Sequence, residues 1–355
     1  PFADTRAHLE ERKAAGLHGG MQFTYRNPAR STDPSRTVVG AAAIVVGALR
    51  YLRTAAPEGD RADRPTGRVA RYSWSDRYEP LRGALAAMAR HLKAEGYQAR
   101  VLADDNALVD RQAAYRAGLG WYGKNTNLLL PGRGSWYVLG GVITDAPLPP
   151  SVPAPLEDGC GTCRRCLPAC PTGALIAPGV LDARRCLAWL LQAPGPFPVE
   201  YRVALGDRIY GCDDCQEVCP VNVRAAEAAP PAPADDGDEP TVDLLGLLDA
   251  TDAELLDRYR RWYIAKREPR YLRRNALVAL ANRADGRRPA VAEALSRFLA
   301  DPDPLLRSHA VWAAARLGRG DLLGPVQDDL DPSVQAELAG VGEVRPNDLT
   351  SRGAE

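Results

Sequence analysis

Cys160, Cys163, Cys166 and Cys170 lie within eleven residues, and Cys212, Cys215 and Cys219 repeat most of that spacing downstream of an isolated Cys186. These eight are all the cysteines of the 355-residue chain. So many thiols in one stretch constrain the fold more than any hydrophobic pattern, because the stretch must close around something that thiolates bind. A disulfide framework suits a small secreted domain, whereas a long chain without export signals keeps its thiols reduced. Zinc sites usually present two CxxC pairs separated by a spacer. The first run here is C-x2-C-x2-C-x3-C-P, the bacterial ferredoxin spacing in which the fourth cysteine ligates the other cluster. That crossed rule assigns Cys160, Cys163, Cys166 and Cys219 to one 4Fe-4S cluster and Cys170, Cys186, Cys212 and Cys215 to a second. A pair of zinc sites is the competing reading. Pro171 and Pro220 are expected to stop helix and turn the chain away from the clusters. Two adjacent clusters relay electrons but transform no substrate, so an electron-accepting centre is expected in the N-terminal half.

The length allows two or three domains. Its 45 basic and 45 acidic residues cancel, so any affinity for nucleic acid must come from a local patch. "VVGAAAIVVGAL" (38–49) spans about half a bilayer and lacks signal architecture, which predicts a buried strand rather than a membrane segment. The chain opens at Pro1 without an initiator Met, which points to a short missing N-terminal piece. A helix is expected over 78–96, with Leu81, Leu85, Met88, Ala89 and Leu92 on its apolar stripe and Gly96 ending it. "YQARVLAD" (97–104) reads as a strand arriving at Asp104, with Asp105 pointing the opposite way. A helix from about Asp110, a glycine-rich turn at 118–120, an apolar strand and a further strand over 134–144 complete a strand–helix–strand order that predicts an α/β domain. Segments 145–155 and 228–240 read as linkers, the second acidic. Beyond them "RRNALVALA" (273–281) and "RSHAVWAAA" (307–315) align at an offset of 34 residues, as two copies of a HEAT-like helical unit would. "RYRRWYIAKREPRYLRR" (258–274) carries eight basic residues and one acidic, interleaved with Tyr259, Trp262, Tyr263 and Tyr271. Cations for phosphates and aromatic faces for unstacked bases point to RNA, against the alternative of a solvated helix face.

With these segments in view, the chain resembles the epoxyqueuosine reductase family over nearly its whole length. The resemblance is carried by "AGLGWYGKN" (117–125), "CGTCRRCLPACPTGAL" (160–175), "LDARRC" (181–186), "GDRIYGCDDCQEVCP" (206–220) and "RRNALVALAN" (273–282). It implies an α/β cobalamin-binding domain (1–150), a ferredoxin-like insert with two 4Fe-4S clusters (151–228) and a HEAT-like α-helical module (241–345). It implies reduction of epoxyqueuosine to queuosine at the wobble position of tRNA with a GUN anticodon, by base-off cobalamin brought to the cob(I) level through the clusters. Asp104 matches the family's catalytic aspartate and would donate the proton. Asp76 matches a pocket aspartate, although the Tyr-His pair that usually follows is Arg77-Tyr78 here. Arg111 would hold substrate, and Arg30, Leu128 and Leu139 fall where the family touches the corrinoid, with Lys124 able to meet a phosphate or a corrin amide. Arg260, Arg261, Lys266, Arg267, Arg270, Arg273 and Arg274 would contact tRNA. A flavodoxin or ferredoxin would supply single electrons to a cytoplasmic monomer. A reductive dehalogenase and a non-catalytic ferredoxin-type carrier are the rival readings.

Overall fold

The computed structural model describes residues 1–54, 64–151, 156 and 158–347. The end of the 145–155 linker lies outside them. Two compact units are present, each assembled from three stretches of chain. Unit 1 holds Pro1–Thr54, Arg71–Cys186 and Asp213–Asp238; unit 2 holds Ala55–Ala70, Leu187–Cys212 and Glu239–Glu355. These units cut across the expected linear boundaries, since 151–228 contributes to both.

Unit 1 is built on a three-stranded sheet whose central strand, Tyr137–Thr144, pairs antiparallel with Ala43–Arg50 on one side and Ala99–Ala103 on the other. The expected strands and helix are present, on a sheet whose neighbouring strands are antiparallel. The outer strands do run in the same direction and are joined through the helix Tyr78–Ala94, but a later strand is inserted between them, giving a split β-α-β. Strand, helix and strand were legible in order; the antiparallel insertion was not. Leu81, Leu85, Ala89 and Leu92 bury the helix against Val138 and Val142. Met88 departs from the expected stripe and is 41% exposed. Gly140 lets the helix approach, because a Cβ there would stand 2.9 Å from Leu85 Cδ1. The other face of the sheet is covered from the helix Asp110–Arg116, with Leu102, Leu108, Ala113 and Ile143 packed together. The expected buried strand over 38–49 begins only at Ala43 and is half-buried along its length, as suits an edge strand; Val39 before it is 80% exposed.

The cysteine-bearing part of unit 1 has little regular structure: short helices Cys166–Ala169 and Asp214–Glu217, and the hairpin Leu175–Ala177 with Val180–Leu181. The helix Asp214–Glu217 ends just before Pro220, as expected, and Pro220 also starts the next helix, Pro220–Ala228, where its missing N–H is no loss and Cys219 stands at the cap. Asn222 ties this part to the sheet domain. Its carboxamide oxygen accepts the Ser135 N–H at 2.7 Å, and its nitrogen donates to Ser135 Oγ and to the Gln216 carbonyl.

Unit 2 contains a small sheet with one strand from each of its three chain stretches, Arg208–Tyr210, Thr66–Val69 and Thr241–Asp243 in that order. Its helices Arg270–Arg283 and Pro304–Arg316 hold the two similar segments and pack on each other. Both are buried through almost their whole middles, as helices inside a stack are. No helix among the described residues is long and apolar enough to cross a membrane.

Candidate active site and iron–sulfur ligands

Seven of the eight cysteines belong to unit 1, and Cys212 closes the middle stretch of unit 2. None of the eight forms a disulfide; Cys219 is buried and the rest are half-buried. Within unit 1 the first ligand set converges. Burial pushes the Cys166 thiol up, and the sulfurs of Cys219, Cys160 and Cys163 push it further by like-charge repulsion. Those four residues are the set that the crossed rule joins. Thiolates crowded without a cation repel one another, and an iron cluster removes the repulsion. Around them are groups that suit an anionic cluster. The buried Trp121 indole N–H and the Lys124 backbone N–H are both directed at the Cys160 sulfur. In the second set Cys170 Sγ accepts the Ala174 N–H at 3.2 Å. Such N–H donors to sulfur are among the features that tune a cluster's potential.

Arg71 escaped sequence reasoning. Its backbone N–H and guanidinium both reach Asp213 Oδ2, and its Nη1 donates to Glu217 Oε1, fixing the two acids that flank Cys215. The arginine lies across Trp136 at 5.3 Å. The only sequence signal was the acidic "CDDCQEVC" awaiting a cation. Lys124 Nζ donates to the Gly161 carbonyl, so it braces the first cysteine loop.

The second locus gathers around Asp104. Its φ of 55° places it in the left-handed region just past the strand Ala99–Ala103, so strand alternation does not govern where it or Asp105 points. The turn-capping role belongs to Asp105, which accepts the Ala107 N–H at 2.8 Å. The Asp104 carboxyl makes no hydrogen bond or ion pair among the described residues. Solvent reaches Asp104 from one side while neighbouring groups crowd the other. That crowding raises its pKa, with Asp110, Asp76 and Asp105 acting the same way and Arg82 opposing. Asp110 is also raised by burial, against the pull of Arg111. Asp76 caps the helix Tyr78–Ala94 by accepting the Tyr78 and Glu79 N–H groups, and pairs with Arg82. Burial raises the Tyr78 phenol, and the charge of Asp104 adds to it. Arg111 lies among these groups, its charge felt by Asp110, Tyr25, Tyr78 and Tyr122; burial has pushed Tyr122 up to about 12. The structure thus brings Asp76, Asp104 and Arg111 together and adds Tyr78, Asp110 and Tyr122, which the sequence had not singled out as a group. Arg30 stands half-buried on the short helix Pro28–Ser31. Leu128 and Leu139, 4% and 6% exposed, pack with Ala114 and Leu130 in the core.

The basic segment of unit 2 is mostly consumed by its own protein. Arg274 is fully buried and donates to the carbonyls of Leu190, Ala193 and Gly195, so it is a core residue and is removed from the RNA set. Tyr259, Trp262 and Tyr271 are buried too; Trp262 stacks between Tyr210 and Tyr259 at 4.3 Å from each. Arg261, Arg270 and Arg273 pair with Glu239, Asp303 and Asp252, and Arg267 donates to the carbonyls of Leu256, Arg260 and Trp262. Arg260, Lys266 and the 53%-exposed Tyr263 remain on the surface. Arg274→Ala is expected to lower stability by at least about 3 kcal/mol, because buried carbonyls lose their donors at roughly 1–3 kcal/mol each. Calorimetric unfolding at constant iron content measures this; an unchanged midpoint would contradict the core assignment.

The arrangement defines an iron–sulfur protein, and residues 159–222 match the 4Fe-4S double cluster binding domain family. The chain is 35% identical to the epoxyqueuosine reductase of Bacillus anthracis over 91% of its own length and 84% of the relative's. With that of Bacillus subtilis it shares 32% identity over 99% and 93%. A solved structure of epoxyqueuosine reductase with an epoxyqueuosine-modified tRNA-Tyr stem loop superimposes with a TM-score of 0.84 at 30% identity, covering 97% of this chain and 92% of that one. The chain belongs to the epoxyqueuosine reductase family and is an oxidoreductase. Membership overturns the dehalogenase and electron-carrier alternatives.

Proposed function

We propose that this protein reduces epoxyqueuosine to queuosine at the wobble position of a tRNA with a GUN anticodon. The carrying observation is the Asp104 carboxyl: exposed, without a hydrogen bond or ion pair among the described residues, set by a left-handed backbone beside Asp76, Tyr78 and Asp110, and with its pKa raised by crowding and by Asp110. Loss of the epoxide oxygen as water takes two electrons and two protons; Asp104 donates one proton to that oxygen, and solvent supplies the second. Asp76 and Arg111 orient the nucleoside. Cobalamin, when bound, supplies the electron pair at the cob(I) level. Exposed polar groups of this locus, Arg111 and Tyr122 among them, fit a ligand edged with amides. Arg30 is the cation we place toward it, while Leu128 and Leu139 support the locus from the core. Lys124 serves the cluster loop. Cys160, Cys163, Cys166 and Cys219 hold one 4Fe-4S cluster, and Cys170, Cys186, Cys212 and Cys215 the other. A flavodoxin or ferredoxin delivers single electrons. The protein acts as a cytoplasmic monomer.

The helical part of unit 2 serves as a HEAT-like module for the tRNA. Arg260 and Lys266 contact phosphates, with Tyr263 available to a base; Arg261, Arg267, Arg270 and Arg273 shape the surface through their internal partners. Arg260→Ala with Lys266→Ala is expected to weaken stem-loop binding and to flatten the dependence of log affinity on log salt by about two. Anisotropy titrations across salt concentrations test it, and an unaltered slope would remove these residues from the interface.

The function itself is tested by anaerobic incubation of cluster- and cobalamin-loaded protein with an epoxyqueuosine-containing stem-loop and a reductant, followed by nucleoside mass spectrometry. Queuosine formation dependent on cobalamin supports the reading. Unchanged epoxyqueuosine refutes it.

A further inference from the structure

The acidic connector 228–240 was read as a linker, yet its Asp238 has a side chain only 1% exposed. Asp238 Oδ1 accepts the Ser75 hydroxyl at 2.5 Å and the Arg77 Nη2 at 3.3 Å. Its other oxygen accepts the Asp235 N–H at 2.9 Å and faces Arg53 Nε at 4.0 Å. Ser75 and Arg77 are the two neighbours of Asp76. One buried carboxylate therefore grips the turn on both sides of the residue that caps the helix Tyr78–Ala94 and borders Asp104. Arg77 finds its partners in the connector's acids, since Asp235 also lies 3.6 Å from it.

Attachment of the connector does not need this carboxylate. Ala232 and Pro233 already pair with Arg53 and Thr54 as strands, and Arg50 donates to the Ala229 carbonyl. A buried charge is costly unless every lone pair is met. Two of its three hydrogen bonds, from Ser75 and Arg77, come from the turn, so its effect is exerted there.

We propose that Asp238 is a positioning residue for the reaction: by clasping Ser75 and Arg77 it fixes how Asp76 and Tyr78 are presented beside Asp104. The inference rests on the function proposed above, and its test separates the two. Asp238→Asn keeps the size and one acceptor but removes the charge that holds Arg77; Arg53→Met disturbs only the connector side. Hydrogen–deuterium exchange is read at the Tyr78 and Glu79 amides, which Asp76 accepts. Asp238→Asn is expected to speed their exchange at least tenfold while leaving the middle of the helix Tyr78–Ala94 unchanged, and to raise KM for the stem-loop about tenfold with kcat within twofold. Arg53→Met is expected to leave both readouts near wild type. Unchanged exchange at Tyr78 and Glu79 overturns the clasp, and faster exchange with an unaltered KM overturns its role in the reaction. If the wild-type protein converts no epoxyqueuosine, the proposed function falls and the positioning claim falls with it, whereas the exchange data still decide the clasp.

Discussion

Cys166→Ser is expected to bring the iron content of anaerobically prepared protein from about eight atoms to about four, the loss of one cubane of two. Turnover should fall at least about a thousandfold, because electrons arriving one at a time no longer have a continuous path. Cys166 is the informative position, since its thiol senses Cys160, Cys163 and Cys219 together. Oxygen is a poorer ligand for this centre than thiolate sulfur. The measurements are iron and acid-labile sulfide per chain, with electron paramagnetic resonance of the reduced protein. One spin system in the variant and two interacting ones in the parent would support the crossed assignment. Iron unchanged at about eight, or zinc in its place, would overturn it.

Asp104→Asn should cost about 10²- to 10⁴-fold in kcat, the range over which a positioned general acid usually contributes. The carboxamide keeps shape and polarity, so stem-loop affinity and iron content should remain near the parent. The sign of the pH dependence follows from the raised pKa. A carboxyl raised by burial and by neighbouring Asp110 stays protonated to higher pH than an ordinary aspartate, so single-turnover rates should hold on the acid side and decline as pH rises through the folded value. Asp110→Asn should lower that value by removing a like charge and move the descending limb toward acid. A descending limb that persists in Asp104→Asn would show that another group gives the proton.

The cysteine spacing was legible because ligand geometry leaves little freedom, and helix 78–94 because a repeating apolar face requires its period. The segment 258–274 misled for a physical reason: arginines alternating with aromatics look the same whether the rings meet bases or, as with Trp262, the side chains of Tyr210 and Tyr259. Arg274 offered no warning, since a fully buried guanidinium is recognised only from the carbonyls that surround it. The left-handed backbone at Asp104 was hidden because aspartate tolerates that region without a glycine to mark it. Asp238 was hidden among the acids of a segment whose composition suggested solvation.

The small sheet of unit 2 has a consequence for synthesis on the ribosome. Thr66–Val69 emerges early, but its partners Arg208–Tyr210 and Thr241–Asp243 come from much later stretches. At about 5–20 residues per second, roughly ten to thirty-five seconds pass between Val69 and Asp243. Until Arg208–Tyr210 emerges the first strand is a nascent edge with neither neighbour, able to pair with foreign strands, and one side stays open until Thr241–Asp243 follows. Unit 2 is therefore completed late, after the polypeptide has twice left and re-entered it, and neither unit can be obtained by cutting the gene at a single point.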